Sequence, residues 1–243
     1  MGRKVNPKIY RTPLIRDWDS KWFANRDKFK QFLKEDLQIR KFLSQRLKNY
    51  GVAKINIERL AKTLRIIIYT AKPGLIIGRG GVDIEKIKKE IKDKFIDNSE
   101  LGLEINVVEE RNPMLSSPVV LEGVIIDLEK RLPFRRVMKK VIKQVKVGGA
   151  QGVKIMVNGR LDGAEIARSE KLVWGKLPLQ TIRADIDYTR GTAFTIYGTI
   201  GIKIWIYKGE IFAKSGNKVK EIEKDKPTGI KKSESNLEDN NQK

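Results

Sequence analysis

Apolar residues recur along this chain with two different periods, and the switches between them set out its elements. From Asp36 onward, the spacing of Ile39, Phe42, Leu43, Leu47 and Tyr50 predicts a helix with one buried face, capped by Asp36 and ending at Gly51. The period then drops to two. Ile55 and Ile57 alternate with polar neighbours across 53–60, and 63–71 is rich in β-branched residues, so two strands are expected. A turn, Gly78-Arg79-Gly80-Gly81, leads into a helix in which Ile84, Ile87, Ile91 and Phe95 share one face while Lys86, Lys89 and Lys92 lie away from it. Residues 101–108 return to a strand through Leu103, Ile105 and Val107. The order helix, strand, strand, glycine turn, helix, strand describes an α+β unit over 36–109.

Residues 109–117 form a polar hinge. Ser117 and Pro118 read as an N-cap followed by proline at the first helical position. Leu121, Val124, Ile125, Leu128 and Leu132 line the apolar face of that helix, and Pro133 stops it. In the next helix, 134–147, Val137, Met138, Val141, Ile142 and Val145 cover one arc, and Arg135, Arg136, Lys139, Lys140, Lys143 and Lys146 the opposite one. A strand at 152–158, a short helix within 161–173 and a turn at 175–178 follow. Two long strands come last, one through Ile182, Ala184, Ile186 and Tyr188, the other from Phe194 to Tyr207. Arg190-Gly191-Thr192 supplies hairpin chemistry between them. This second unit, 116–210, is again α+β: two helices on a small, mainly antiparallel sheet. Residues 1–35 alternate Arg and Lys with aromatics and read as an extended basic arm, either a loose tail or a strip laid along RNA. Residues 211–243 hold too few apolar side chains to order themselves and are expected to be a disordered tail.

Charge narrows the function. The 243 residues carry 51 Lys and Arg against 30 Asp and Glu, a net +21, which calls for a polyanionic partner. No run approaches the roughly 20 apolar residues of a membrane span, and the N-terminus lacks the apolar core of a secretion signal. The expectation is a cytoplasmic nucleic-acid binder without a membrane role. There is no Cys and no His, so thiolate chemistry, imidazole catalysis and Cys- or His-ligated metals are excluded by inventory. No cofactor, metal or catalytic activity is expected.

Two stretches carry candidate chemistry. A Gly-x-x-Gly turn lets the backbone approach a nucleic-acid strand, and the helix start behind it offers free N–H groups to phosphate. That arrangement is used by KH modules and assigns Lys72, Gly78, Arg79, Gly80 and Gly81 to RNA. Asp83, in the next turn, reads as a structural cap pointing away. The second stretch is 134–147, whose cationic arc has no acid of its own; such a face repels itself unless phosphates neutralise it. Asp185 and Asp187 share a strand face, but Arg183 on the same face favours neutralisation over metal binding. Tyr197, Trp205 and Tyr207 could stack on bases, with packing as the competing reading. The Lys-Ser/Thr step of a P-loop is missing.

Several stretches together carry a family resemblance. They are Met1-Gly2-Arg3-Lys4-Val5-Asn6-Pro7, the Ile-Ile-Gly-Arg-Gly-Gly turn, Phe134-Arg135-Arg136-Val137-Met138-Lys139-Lys140, the run from Asn158-Gly159-Arg160 to Ala167-Arg168, Pro178 to Tyr188, and Tyr197-Gly198 through Gly209. The chain resembles the bacterial-type third protein of the small (30S) ribosomal subunit, whose first domain is a type II KH fold. The resemblance implies a protein of the subunit head that binds 16S rRNA and lines the channel by which mRNA enters. Proteins ten and fourteen would be neighbours in the head, with two, four and five nearby. It assigns Arg135, Arg136 and Lys139, with Lys140 and Lys143 on the same face, to holding and unwinding mRNA. Arg3, Lys4, Lys8, Arg11, Arg160, Arg168, Arg183 and Arg190 are the expected rRNA contacts. Three departures stand out: Asp162-Gly163 where the family usually has Gly-Gly, Gln180 in place of His, and Lys8-Ile9 in place of His-Gly. The competing readings are a KH-bearing RNA-processing enzyme, a nuclease or GTPase accessory, and a DNA-binding regulator. Neither a P-loop, a strong acidic cluster nor a helix-turn-helix pattern supports them.

Overall fold

The computed structural model describes residues 4–60, 62–95 and 102–212. Arg3 and the predicted tail from 213 onward lie outside them. The chain opens in a short helix, α1 (Pro7–Tyr10), where the Asn6 side chain accepts the Lys8 N–H at 2.9 Å. A two-residue strand, β1 (Ser20–Lys21), and a long helix, α2 (Arg26–Arg46), follow. Asp36 is therefore no cap. It is buried inside α2, accepting Trp22 Nε1 at 2.7 Å and Arg59 Nε at 2.9 Å. The turns of α2 before Asp36 lack an apolar period because they bury little; the Trp22 ring holds them by packing on Phe29 and Phe32.

Next come β2 (Val52–Arg59), β3 (Thr63–Thr70), α3 (Pro73–Ile77), α4 (Val82–Phe95) and β4 (Gly102–Glu109). They form a sheet of order β1-β2-β3-β4, with β2 and β3 antiparallel and the outer pairs parallel. The apolar faces of α2 and α4 close over it, so Ile39, Leu43, Ile57, Ile66, Ile68, Ile87 and Ile91 share one core. That union is the physical consequence of the two periods in the sequence.

The rest of the chain is α5 (Ser117–Glu129), α6 (Phe134–Val147), β5 (Gly152–Gly159), β6 (Arg168–Gly175), β7 (Ala184–Thr195) and β8 (Gly198–Glu210). All pairings in its sheet, order β6-β5-β8-β7, are antiparallel, and both helices pack on one face. Two expectations fail. The short helix expected within 161–173 is a single turn at Leu161–Gly163, and the residues after it form edge strand β6. The hairpin turn is not at Arg190-Gly191-Thr192, because β7 runs through them and reverses at Ile196-Tyr197. Gly191 serves helix packing instead: a Cβ there would lie 2.8 Å from Leu121 Cδ2 and 3.1 Å from Ile125 Cδ1, both on α5. Phe194 and Ile196 consequently stand exposed at the hairpin tip. Glu122 of α5 accepts backbone N–H groups of Asn49 and Gly51 (2.9 Å for Gly51), which ties α5 to the end of α2.

Of the predicted basic arm, the described residues 4–35 are not extended. Arg11 is completely buried and donates to the carbonyls of Pro7, Pro178, Leu179, Thr181 and Ala184. Lys8 and Arg16 reach buried Asp187 at 3.0 and 3.1 Å, while the other Asp187 oxygen accepts the Ser117 N–H at 2.7 Å. Ser116, one residue before the predicted cap, occupies the N-cap of α5 without a side-chain bond, so Asp187 supplies the acceptor from another strand. Burial pushes the Asp187 carboxyl up, but Lys8, Arg16 and the Ser117 N–H outweigh it and hold it at about 2 against an ordinary 3.8.

A carboxyl held that low stabilises the fold above its unfolded value, and the contribution disappears as pH falls through the folded value. The difference corresponds to roughly 2 kcal/mol. Asp187→Asn should lower stability at pH 7 by about that much. In urea titrations of both proteins, the gap should close between roughly pH 4 and pH 2; a gap independent of pH would contradict this role.

Candidate nucleic-acid interface

The glycine turn is built by backbone that other residues resist. Gly78 has φ 74 and ψ 178, a region close to glycine-only, and Gly80 and Gly81 have φ 62 and 80. A Cβ at Gly78 would collide with the Asp83 carboxylate. Asp83 therefore folds back over the turn rather than pointing away, with Lys86 Nζ 3.3 Å from its Oδ1. Arg79 is exposed at the tip, and Lys72 is exposed ahead of α3. Gly74, Leu75, Gly78, Arg79, Val82 and Asp83 line a shallow depression there. Its exposed apolar part, Leu75 and Val82, offers surface to a base beside a cation that can meet a phosphate.

The second site stands on α6, which begins and ends at the residues predicted. Phe134, Val137, Met138, Val141 and Val145 are buried, and this anchored side forces Arg135, Arg136, Lys139, Lys140 and Lys143 outward around a second shallow depression. Two of the five have neighbours of opposite sign that the helix sequence alone does not reveal. Arg135 lies 3.8 Å from Glu170 of β6, and Lys140 lies 2.8 Å from Asp127 of α5. The Arg135–Glu170 pair is solvent-exposed, and Lys140 is half-exposed beside a more covered Asp127, so both cations can yield to phosphate. Arg136, Lys139 and Lys143 pair with no carboxylate among the described residues.

Asp162 is the residue that sequence reasoning left without a role. It adopts φ 53, where an Asp is tolerated and a glycine is usual, and its Oδ1 accepts the Phe134 N–H at 3.3 Å. Pro133, at the N-cap, has no side-chain acceptor, so Asp162 acts as the acceptor at the start of α6. Its departure from the glycine pattern thus has a structural reason. Its positive φ was foreshadowed by the family's glycine; the bond to Phe134 was not.

The remaining predicted rRNA contacts divide. Arg11 is removed from the set, because carbonyls inside the protein take its donors. Lys8 holds Asp187, and Arg183 reaches Glu210 at 2.8 Å. Arg160 donates to the carbonyls of Ala164 and Tyr197 at 2.9 and 3.2 Å while staying exposed. Lys4, Arg168 and Arg190 are exposed. Asp185 and Asp187 are neutralised by Arg16 and Lys8, both from the N-terminal segment. Arg16 had no periodic signal to mark it. Of the three aromatics, Tyr207 is buried, Tyr197 packs against Gly163, and Trp205 lies against Tyr188 with ring centroids 5.1 Å apart.

A Gly-x-x-Gly turn on a three-helix α+β unit, joined to a second unit that displays a cationic helix, defines an RNA-binding protein of the KH class. Residues 38–115 match the KH domain family, and residues 124–206 match the family described as ribosomal protein S3, C-terminal domain. The chain is 49% identical over 222 residues to small ribosomal subunit protein uS3 of Clostridium novyi, covering 91% of this chain and 99% of that one. It is 46% identical to the same protein of Desulfitobacterium hafniense over 223 residues (92% and 99%) and of Caldicellulosiruptor saccharolyticus over 216 residues (89% and 96%). The chain belongs to the uS3 family, and is a structural component of the small ribosomal subunit rather than an enzyme.

The turn geometry yields a prediction. Gly78→Ala should cost about 2 kcal/mol of unfolding free energy, from backbone strain together with the collision at Asp83. Adding Asp83→Ala should recover only part of it, since the dihedral remains. Chemical denaturation of the two variants decides; full recovery in the double variant would mean that the collision alone matters.

Proposed function

We propose that this small-subunit component lines the channel by which mRNA enters, with α6 holding the message by its phosphates, while other cations hold 16S rRNA. The reading rests on one observation above others: Arg136, Lys139 and Lys143 project from a rigid helix whose opposite side is sealed in the core, and none has an internal carboxylate partner among the described residues. A rigid row of uncompensated cations grips a polyphosphate without ordering itself first, so little binding energy is lost to entropy. Strands that open thermally ahead of the channel are then kept apart by their phosphates. No bond is broken, and the sequence holds neither a Cys nucleophile nor a His base.

The glycine turn, with Arg79 and Lys72, takes a single strand in the manner of a KH module. Asp83 beside it weakens the grip on phosphate, so the turn guides the strand more than it anchors it. Lys4, Arg160, Arg168 and Arg190 are the exposed cations assigned to rRNA. The protein neighbours remain those that the family resemblance implies, proteins ten and fourteen, with two, four and five nearby.

Replacing Arg136, Lys139 and Lys143 by Ala should leave subunit assembly intact but slow translation of a message with a stable hairpin. A slowing of about tenfold is expected, the factor that 1.4 kcal/mol represents; an unstructured message should be unaffected. Translation of paired templates on purified ribosomes, with sedimentation of the subunits, measures both. Loss of assembly would make these residues rRNA anchors, and equal slowing on both templates would remove the unwinding role.

A further inference from the structure

Among the described residues, each sheet has one face covered by helices and one left open, and the two open faces differ in charge. In the first sheet the outward row Glu58, Arg65 and Glu104 neutralises itself, with Arg65 3.9 and 3.1 Å from the two acids. Lys54 on the same face meets Asp19 at 3.1 Å. That is an ordinary solvated surface, both signs interleaved.

The second sheet has no such balance. The register places Val173, Lys154, Trp205 and Tyr188 in one outward row across all four strands, and Lys171, Met156, Lys203 and Arg190 in the next. A third row, Ser169, Asn158, Gly201 and Thr192, is neutral. No acid occupies any of these positions, and Lys171, Lys203 and Arg190 pair with no carboxylate among the described residues. Leu177 and Leu179 cover one end, over Ile186 and Tyr207. Like charges side by side on neighbouring strands destabilise a sheet unless something neutralises them. Their mutual repulsion is felt at Lys154, whose ammonium is pushed below its ordinary value first by burial and then by Lys4 and Lys171.

We propose that this open face is a further RNA platform, which grips the phosphate backbone of a ribosomal RNA strand through Lys171, Lys203 and Arg190. The site rests on the reading of the chain as an RNA-holding subunit component, and it differs from α6, which lies on the sheet's other face. A message held on α6 is therefore on the wrong side to reach it, and a fixed rRNA strand is the occupant that the charge fits. The grip is on phosphate rather than on bases. Trp205 already has Tyr188 beside it at 5.1 Å and the Lys154 ammonium 5.1 Å from its ring centroid, so both flanks of the indole are taken within the row.

The test uses the full chain with Lys171, Lys203 and Arg190 changed to Gln, and Lys203→Gln alone as a milder second variant. Thermal midpoints check the fold of each. Binding of a 12-nucleotide oligouridylate is measured across a salt series, beside the α6 variant described above, and each protein's retention on small subunits in raised salt is followed. The triple variant should lower the slope of log affinity against log salt by about 2, the effect of three lost single-strand phosphate contacts. It should also leave the subunit at lower salt than the parent, and the α6 loss should add to its own. An unchanged slope, with the α6 variant still impaired, would overturn the sheet site and leave the proposed function standing. Unchanged slopes in both variants would overturn both. Weakened retention with an unchanged slope would make the occupant a protein and the proposal wrong.

Discussion

Asp187 is where three separated stretches of chain meet. Its carboxylate lies buried in β7, takes the first N–H of α5 on one oxygen and two cations of the N-terminal segment on the other. A buried charge left unpaired costs several kcal/mol, so each contact constrains the others. Lys8 and Arg16 cannot leave without stranding the carboxylate, and α5 cannot shift without exposing an unsatisfied N–H. Arg11 adds a second clasp a few residues away, through carbonyls of the loop before β7. The N-terminal segment is thereby part of the fold of the second sheet, which explains how cations with no hydrophobic pattern become ordered.

The same logic divides the positive charge of the whole chain. Where the fold offers an acceptor, the cation is structural: Arg11, Lys8 and Arg16 in the second unit, Arg59 against Asp36 and Glu35 in the first. Where the fold offers none, the cation stays outside with its charge uncompensated. Those residues include the outer side of α6 and the open face of the second sheet, with others along α2 (Lys30, Lys34, Lys41) and α4 (Lys88, Lys89, Lys92). A net charge of +21 is therefore not spread evenly, and it is the unpaired share that a polyanion meets. Exposed pairs such as Arg135–Glu170 sit between the classes, close enough to orient the side chain and too weak to withhold it.

How far the sequence discloses this depends on whether a residue's partner is near in the chain. Period alone locates α6 to the residue, and it places Ile87 and Ile91 of α4 in the core, because helix faces are set by spacing. It misses the start of α2, where few apolar residues face the core, and it turns Arg190-Gly191-Thr192 into a loop because glycine marks turns and close packing alike. Gly191 can be told apart only once Leu121 is seen above it. Arg11 reads as an RNA contact for a similar reason: the carbonyls that bury it belong to residues 178–184, far along the chain. Asp162 also acts through a partner, Phe134, whose direction no spacing reveals. The candidate site was legible where one helix carries it, and illegible where register across four strands assembles it.

The central claim is that cations without an internal partner are the ones that meet RNA. A high-resolution map of the small subunit containing this chain, with mRNA in its channel, tests that claim most directly. The account predicts phosphate oxygens within hydrogen-bonding distance of Arg136, Lys139 and Lys143, and none at Arg11 or at the Lys8–Asp187 pair. A map in which those three α6 side chains point into bulk solvent or lie buried against protein would contradict it.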